Sequence, residues 1–206
     1  MIQRDNQAAH ERLAAFGMIS AGVAPLLNPT GRVDPHLLAH IVASIPVEEF
    51  AQFMRRPVLA GSGIQSGSIE QTHNQVRTTN QTFIFELSDQ TAHETTPEAL
   101  KRAIYPLVKK RDAVGTAHLL TIGRISDNDL VIPDVAISKQ HAVIEIIDSV
   151  YSIRDRHSTN GTRVNHTRLQ ADPLTLNNGD IIAFARYEFV FLTPEALYMR
   201  LGAAPS

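Results

Sequence analysis

The 206 residues contain no cysteine, which removes disulfides, thiolate nucleophiles and cysteine-ligated zinc or iron-sulfur centres. Neither sign of charge dominates: 19 Lys+Arg stand against 21 Asp+Glu, for a formal charge of -2. A general nucleic-acid or membrane-surface binder is therefore not expected. Residues 116–206 hold 8 Lys+Arg and 10 Asp+Glu, so any anion site in that part has to be local. Long apolar runs are missing as well. Ile19 to Leu27 is interrupted by Gly22 and Pro25, too short to span a bilayer, and the polar start makes a poor signal peptide. A soluble, cytoplasmic protein is the expectation. Also lacking are a glycine-rich phosphate loop opening a helix, a metal triad and a Gly-x-Ser-x-Gly elbow. Gly61-Ser62-Gly63 has no strand and helix pattern around it that would make it one. Neither catalysis nor a cofactor is expected.

What is present is an ordinary globular composition, 43% hydrophobic and 19% charged, enough to bury a core. Residues 4–16 (RDNQAAHERLAAF) have helical composition. Asp34-Pro35 is an N-cap followed by proline at the first helical position, opening a helix with Leu37, Leu38, Ile41 and Val42 on its apolar side. Pro46 interrupts it, and Val47, Phe50, Phe53 and Met54 continue a second stripe. Residues 1–60 thus form a helical N-terminal region, in which Pro57-Val58-Leu59-Ala60 is equally consistent with a first strand of the next unit. His36 and His40 share a helix face at i, i+4, but no third metal ligand accompanies them, and a polar helix face is the better reading.

Residues 61–81 are rich in Gly, Ser, Thr, Gln and Asn and are expected to be a linker or long loop. From Thr82 the period changes. Thr82–Leu87 is strand-like, and residues 95–114 form a short helical insertion bent or ended by Pro106. Closely spaced strand candidates follow: 118–122, 130–132, 142–147, 150–155, 162–165, 174–176, 180–184 and 187–192. Short strands this regular indicate an antiparallel sandwich over 82–193. Residues 194–206 are a C-terminal helix and tail.

Polar clusters sit where these alternating runs stop. Arg124 follows one strand, Ser138 precedes another, and Asn160 lies between two more. Loops of a sandwich gather at its ends, so an arginine fork beside a hydroxyl and an amide there makes an anion-recognition surface.

Five elements occur in order: Ile122-Gly123-Arg124, Asp127-Asn128-Asp129-Leu130-Val131-Ile132, Ser138-x-x-His141, Ser158-Thr159-Asn160-Gly161-Thr162-x-Val164-Asn165 and Leu176-x-x-Gly179-Asp180-x-Ile182. Together they resemble the forkhead-associated (FHA) domain family over roughly Leu119 to Leu192. The resemblance implies a mainly-β, two-sheet antiparallel sandwich of the SMAD/FHA type whose loops at one end bind phosphothreonine peptides. Its partners would be phosphothreonine-containing proteins of a Ser/Thr kinase pathway.

A phosphothreonine carries about two negative charges and three acceptor oxygens, so it calls for fixed donors. Arg124 supplies a planar fork, Ser138 a hydroxyl, and Lys139 a second charge or its backbone N–H. In the family the asparagine at Asn160 grips the peptide backbone, and Thr159 would support it. The histidine at His141 is architectural in the family, bonding between loops. Gly123 and Gly161 are positions where the chain turns or where a side chain would obstruct the pocket.

Two positions depart from the family pattern. Asn165-His166 replaces Asn-Gly, so an altered or strained hairpin is expected. Phe184-Ala185 replaces Phe-Gly. Thr95 and Thr96, in Glu94-Thr95-Thr96-Pro97-Glu98, resemble the phosphorylated threonine pair that some bacterial members bind with their own domain, and Arg77-Thr78-Thr79 does so more weakly. The same residues also make a capping box and an N-cap before Pro97, which is the stronger reading. A phosphate-independent assembly protein, docking through the sandwich and the N-terminal helices, is the alternative function.

Overall fold

The computed structural model describes residues 17, 19–64, 96–111 and 115–202. The expected helix at 4–16, most of the 61–81 segment, the 82–87 strand and Thr95 lie outside them.

Strands run in the order β1 (Val58–Gly61), β2 (Ile104–Pro106), β3 (Leu119–Gly123), β4 (Leu130–Val131), β5 (Ala142–Ile147), β6 (Val150–Asp155), β7 (Thr162–Val164), β8 (Thr167–Arg168), β9 (Leu174–Thr175), β10 (Ile181–Phe184) and β11 (Tyr187–Leu192). They form two sheets, β2-β1-β11-β10-β7-β8 and β4-β3-β5-β6-β9. Only β3 and β4 pair in parallel; the other pairs are antiparallel. This is the mainly-β sandwich the alternation predicts. Its core interleaves Leu59, Tyr105, Ile182, Phe184, Phe189 and Phe191 of the first sheet with Leu120, Ile122, Ala142, Ile144, Tyr151 and Ile153 of the second.

The first sheet is buried on its other face as well. Val58, Ala60, Ile104 and Leu192 point away from the sandwich core into a second cluster. There they meet Leu38, Ile41 and Val42 of α1 (Pro35–Ser44), Phe50, Phe53 and Met54 of α2 (Val47–Met54), and Leu197 of α4 (Pro194–Gly202). The Asp34 carboxylate caps α1 by accepting the His36 N–H at 2.8 Å. Pro46, with no N–H to donate, separates α1 from α2. The rings of Phe50 and Tyr198 meet edge-on at 5.5 Å, and the Tyr198 hydroxyl donates to the Ile45 carbonyl at 3.1 Å.

β1 lies between β2 and β11, so the first sheet takes in residues on both sides of the 61–81 segment. The 95–114 stretch departs from a purely helical insertion. α3 (Pro97–Lys101) is a single short helix, and Ile104–Pro106 is a strand. Ile104, Leu107 and Val108 share a helical spacing, yet β2 is a strand apolar on both faces: Ile104 enters the helix-side cluster and Tyr105 the sandwich core. Thr167–Arg168, exposed and two residues long, offers no apolar alternation and was not anticipated as a strand.

At the β7–β8 turn the departure from the family pattern does not open the hairpin. Asn165 and His166 connect Val164 to Thr167 with φ values of 48° and 68°, as a tight two-residue turn requires. The strain falls on exposed His166, where a Cβ in the left-handed region costs about 1–2 kcal/mol. His166→Gly is expected to stabilise the protein by roughly 0.5–1 kcal/mol in chemical denaturation. Phe50→Ala, which empties a fully buried site in the helix layer, is expected to cost about 3–5 kcal/mol in the same assay.

Candidate functional site

Three loops meet at one end of the sandwich because of strand register. Ile122 of β3 faces Ala142 of β5, and Ala142 in turn faces Asp155 of β6. The segments that begin at Arg124, end at His141 and begin at Arg156 therefore leave the sheet side by side. Backbone bonds continue the ladder past the strands. Arg124 N–H donates to the Ser138 carbonyl at 3.0 Å, His141 N–H to Ile122 at 2.8 Å, and Arg156 N–H to His141 at 2.8 Å.

The Arg124 turn fits against the Ser138–Lys139 loop only because residue 123 lacks a side chain. A Cβ on Gly123 would overlap the Lys139 carbonyl and crowd the Asn128 amide. Buried Asn128 ties the two loops by donating from Nδ2 to the carbonyls of Ile125 at 2.9 Å and Lys139 at 2.8 Å.

Buried His141 joins the second loop to the third. Its Nδ1 accepts the Ser138 N–H at 3.2 Å, so the ring proton belongs on Nε2, which faces the Gly161 carbonyl at 3.2 Å. The ring is thereby fixed as neutral imidazole, because protonated Nδ1 would oppose another N–H. Burial pushes its pKa below the ordinary value of 6.5, outweighing the Gly161 carbonyl and nearby Asp155. Phe184 meets the ring edge-on at 5.7 Å.

Asp155 organises the third loop. Its carboxylate accepts from the Ser158 N–H at 2.9 Å, the Ser158 hydroxyl at 2.7 Å and the Thr162 hydroxyl at 2.6 Å. Burial alone would raise its pKa, but these donors hold it below the usual carboxylate value. Ser158 Oγ also accepts the Gly161 N–H at 2.9 Å. Gly161 itself has a φ of 78°, and a Cβ there would crowd the Arg168 guanidinium.

On this frame stand the five residues singled out for ligand contact. The half-buried Arg124 and the exposed Lys139 have no ion-pair partner among the described residues. Ser138 Oγ accepts the Thr159 N–H at 3.0 Å, while its own proton finds only Thr159 Oγ1, at 3.5 Å. One lone pair is thus occupied and the hydroxyl proton is left for an incoming acceptor. Asn160 Nδ2 donates to the Ala136 carbonyl at 2.7 Å, which fixes the amide and leaves Oδ1 and a second N–H.

Arg124, Ser138, Lys139, Thr159 and Asn160 therefore lie on adjoining loops, with Gly123, His141 and Gly161 in the joints between them. Thr96 stands apart from this network and caps α3, its Oγ1 accepting the Ala99 N–H at 3.2 Å. Two supporting residues escaped the sequence reasoning. Asn128 lay within a quoted motif without a role, and Asp155, at the end of an alternating run, resembles a plain surface carboxylate. Among the described residues, no group of three or more His, Asp or Glu is arranged to hold a metal ion.

The family model for the FHA domain matches residues 120–185, and this part of the chain is an FHA domain. The transcriptional regulatory protein EmbR of Mycobacterium tuberculosis is 43% identical over 70 residues, 34% of this chain and 18% of that one. The glycogen accumulation regulator GarA of the same organism is 34% identical over 92 residues, 42% of this chain and 56% of GarA. Among solved structures, Mycobacterium tuberculosis EmbR in complex with a low-affinity phosphopeptide is similar over 37% of this chain and 20% of that one, with 40% identity and a TM-score of 0.36. The chain spans less than a fifth of EmbR and little more than half of GarA.

His141 and Asp155 both have lowered pKa values, so the unfolded chain binds more protons than the folded one. The stability each contributes is complete above its ordinary value, 6.5 for the imidazole and 3.8 for the carboxyl, and is lost as pH falls through its folded-state pKa. Denaturation midpoints are expected to fall on acidification below about 6.5. The histidine portion of that fall should be absent in His141→Gln; an unchanged profile in the variant would contradict the neutral bridge.

Proposed function

We propose that the protein is a phosphothreonine-peptide recognition module that joins proteins in a phosphorylation-dependent way downstream of a Ser/Thr kinase. The observation that carries this reading is a set of oriented donors without an internal anion. Arg124 has no ion-pair partner among the described residues, and the Ser138 hydroxyl has its lone pair taken by Thr159 and its proton available. The loops that hold them are bonded together before any ligand arrives.

Each residue then has a role. The Arg124 fork takes two phosphate oxygens, and Ser138 and Lys139 take the third and add charge. Asn160, its orientation set by Ala136, bonds the peptide backbone beside the phosphothreonine, with Thr159 bracing Ser138. The phosphothreonine keeps its phosphate throughout, and the protein acts by binding, without enzymatic chemistry or a cofactor. The 43% identity to EmbR, whose solved structure holds a phosphopeptide, supports this reading. The unit responsible takes in β1 as well as residues 82–193 and works in the cytoplasm; no helix among the described residues is long and apolar enough to cross a membrane.

An assembly role that ignores phosphate is the competing reading. The apolar faces of α1, α2 and α4 are spent on the outer face of the first sheet, which weighs against their serving as docking surfaces. Capture of the chain's own Thr95 or Thr96 after phosphorylation stays subordinate, since Thr96 already works as a helix cap.

Matched phosphorylated and unphosphorylated threonine peptides, titrated calorimetrically into the full chain, separate these readings. Phosphorylation is expected to be required for binding, and Arg124→Ala to weaken it about 10- to 100-fold, as for loss of a charge-assisted contact of about 1.5–3 kcal/mol. Equal affinity for both peptides would contradict the proposal.

A further inference from the structure

Two arginines of the β7–β8 hairpin face each other. Arg163 and Arg168 are register partners, and because Val164, the next residue, points into the sandwich core, both lie on the outer face of the first sheet. Like charges directly opposite on antiparallel strands are destabilising. Neither arginine has an ion-pair partner among the described residues. Glu188, the carboxylate in the same row, is separated from Arg163 by the strand carrying Ala183, about 9–10 Å away at the usual strand spacing. By contrast, at the β10–β11 turn Arg186 pairs with Asp134 at 2.6 Å, and the Tyr187 hydroxyl closes the clamp on the same carboxylate at 2.6 Å. The imbalance is local: residues 156–171 hold three arginines and no Asp or Glu, in a half of the chain that is acidic overall.

Both side chains are held at the site end of the sheet. Arg163 Nη2 donates to the Ala185 carbonyl at 2.8 Å. The Arg168 guanidinium lies against Gly161, with Nε and Nη2 2.8 and 2.9 Å from where a Cβ would stand. Gly161 follows Asn160, and its own backbone is bonded at both ends. Its N–H donates to Ser158 Oγ at 2.9 Å, and its carbonyl faces His141 Nε2 at 3.2 Å and accepts the Ala185 N–H at 3.2 Å. Arg124, Ser138 and Lys139 suffice for one phosphate, which leaves the charges of Arg163 and Arg168 unused beside the residue that grips the peptide. Guanidinium forks match a carboxylate or a phosphate, and an anion between two opposed arginines relieves their repulsion.

Building on the phosphopeptide reading above, we propose that Arg163 and Arg168 form a second anion subsite. It takes a carboxylate or a second phosphate carried by the same peptide within about one to three residues of the phosphothreonine, at about 3.3 Å per residue of extended chain.

The test is calorimetric titration of the full chain with three sets of peptides built around one phosphothreonine: uncharged flanks, Glu scanned through the flanks, and a second phosphothreonine scanned through them. Wild type should bind at least one Glu or doubly phosphorylated peptide about two- to fivefold more tightly than the uncharged one, as for a partly exposed ion pair, and this gain should shrink as salt is raised. A gain with Glu assigns the subsite to carboxylates, and a gain with the second phosphate alone assigns it to phosphate. Arg163→Gln and Arg168→Gln should each reduce the gain while binding of the uncharged peptide stays within about twofold, and Arg168→Lys should keep part of it. No gain from any added anion in the wild type, or a gain that persists when both arginines are changed to Gln, would overturn this proposal alone. So would an equal loss for all three sets in Arg168→Gln, which would make Arg168 a prop for the Gly161 turn. Unphosphorylated peptides binding as tightly as phosphorylated ones would overturn the reading beneath it as well.

Discussion

The site depends on one uncharged imidazole. His141 accepts from the Ser138 N–H through one nitrogen and faces the Gly161 carbonyl with the other, so a single buried ring sets the spacing between the loop carrying Ser138 and the loop carrying Asn160. It can do both only while neutral, and burial keeps it so. The neighbouring supports follow the same pattern. Asn128 spans the first and second loops with its amide, and Asp155 gathers the Ser158 and Thr162 donors of the third. Polar groups buried at a sandwich end are costly unless satisfied, and here their partners are backbone groups and hydroxyls of the loops to be positioned. The same bonds therefore satisfy the buried groups and preorganise the surface, which lowers the entropic cost of ligand binding.

The two apolar layers do different things. The sandwich core fixes register, and register brings Arg124, His141 and Arg156 out of the sheet as neighbours. The helix layer seals the opposite face of the first sheet, with Phe50, Phe53 and Met54 fully buried against Val58, Ala60 and Ile104. Its link to the site is indirect. The N-terminal segment reaches the second sheet where the Thr30 carbonyl accepts the Val131 N–H at 2.9 Å, covering one edge of β4. Function is expected to sit in the loops, and the helices to act on it through stability.

Much of this was legible in the sequence, and the reasons are physical. Strand β6 alternates because one face meets the core and the other is more open, and the expected limits of β5, β6 and β11 coincide with the observed ones. The helix at Asp34-Pro35 was legible because capping chemistry is local. β2 was hidden because a strand buried on both faces has no alternation, and its Ile104, with Leu107 and Val108 just after it, fell at helical spacing by coincidence. β8 was hidden because two exposed residues carry no pattern at all. In the site, motif spacing named the residues proposed to face a ligand. Asn128 and Asp155 were harder, since their roles arise from loops that meet only after folding. The Asp134, Arg186 and Tyr187 clamp joins residues more than fifty positions apart, beyond the reach of any local signal.

The most direct test of preorganised phosphate recognition is an NMR titration of the isotope-labelled full chain with a phosphothreonine peptide at neutral pH. The account predicts large shifts for the Arg124 side chain, the Ser138 and Lys139 amides and the Asn160 side-chain amide. The His141 ring should keep its Nε2 proton and its neutral signature throughout. Perturbations centred elsewhere, or a His141 ring that gains a proton or changes tautomer as the peptide binds, would contradict it.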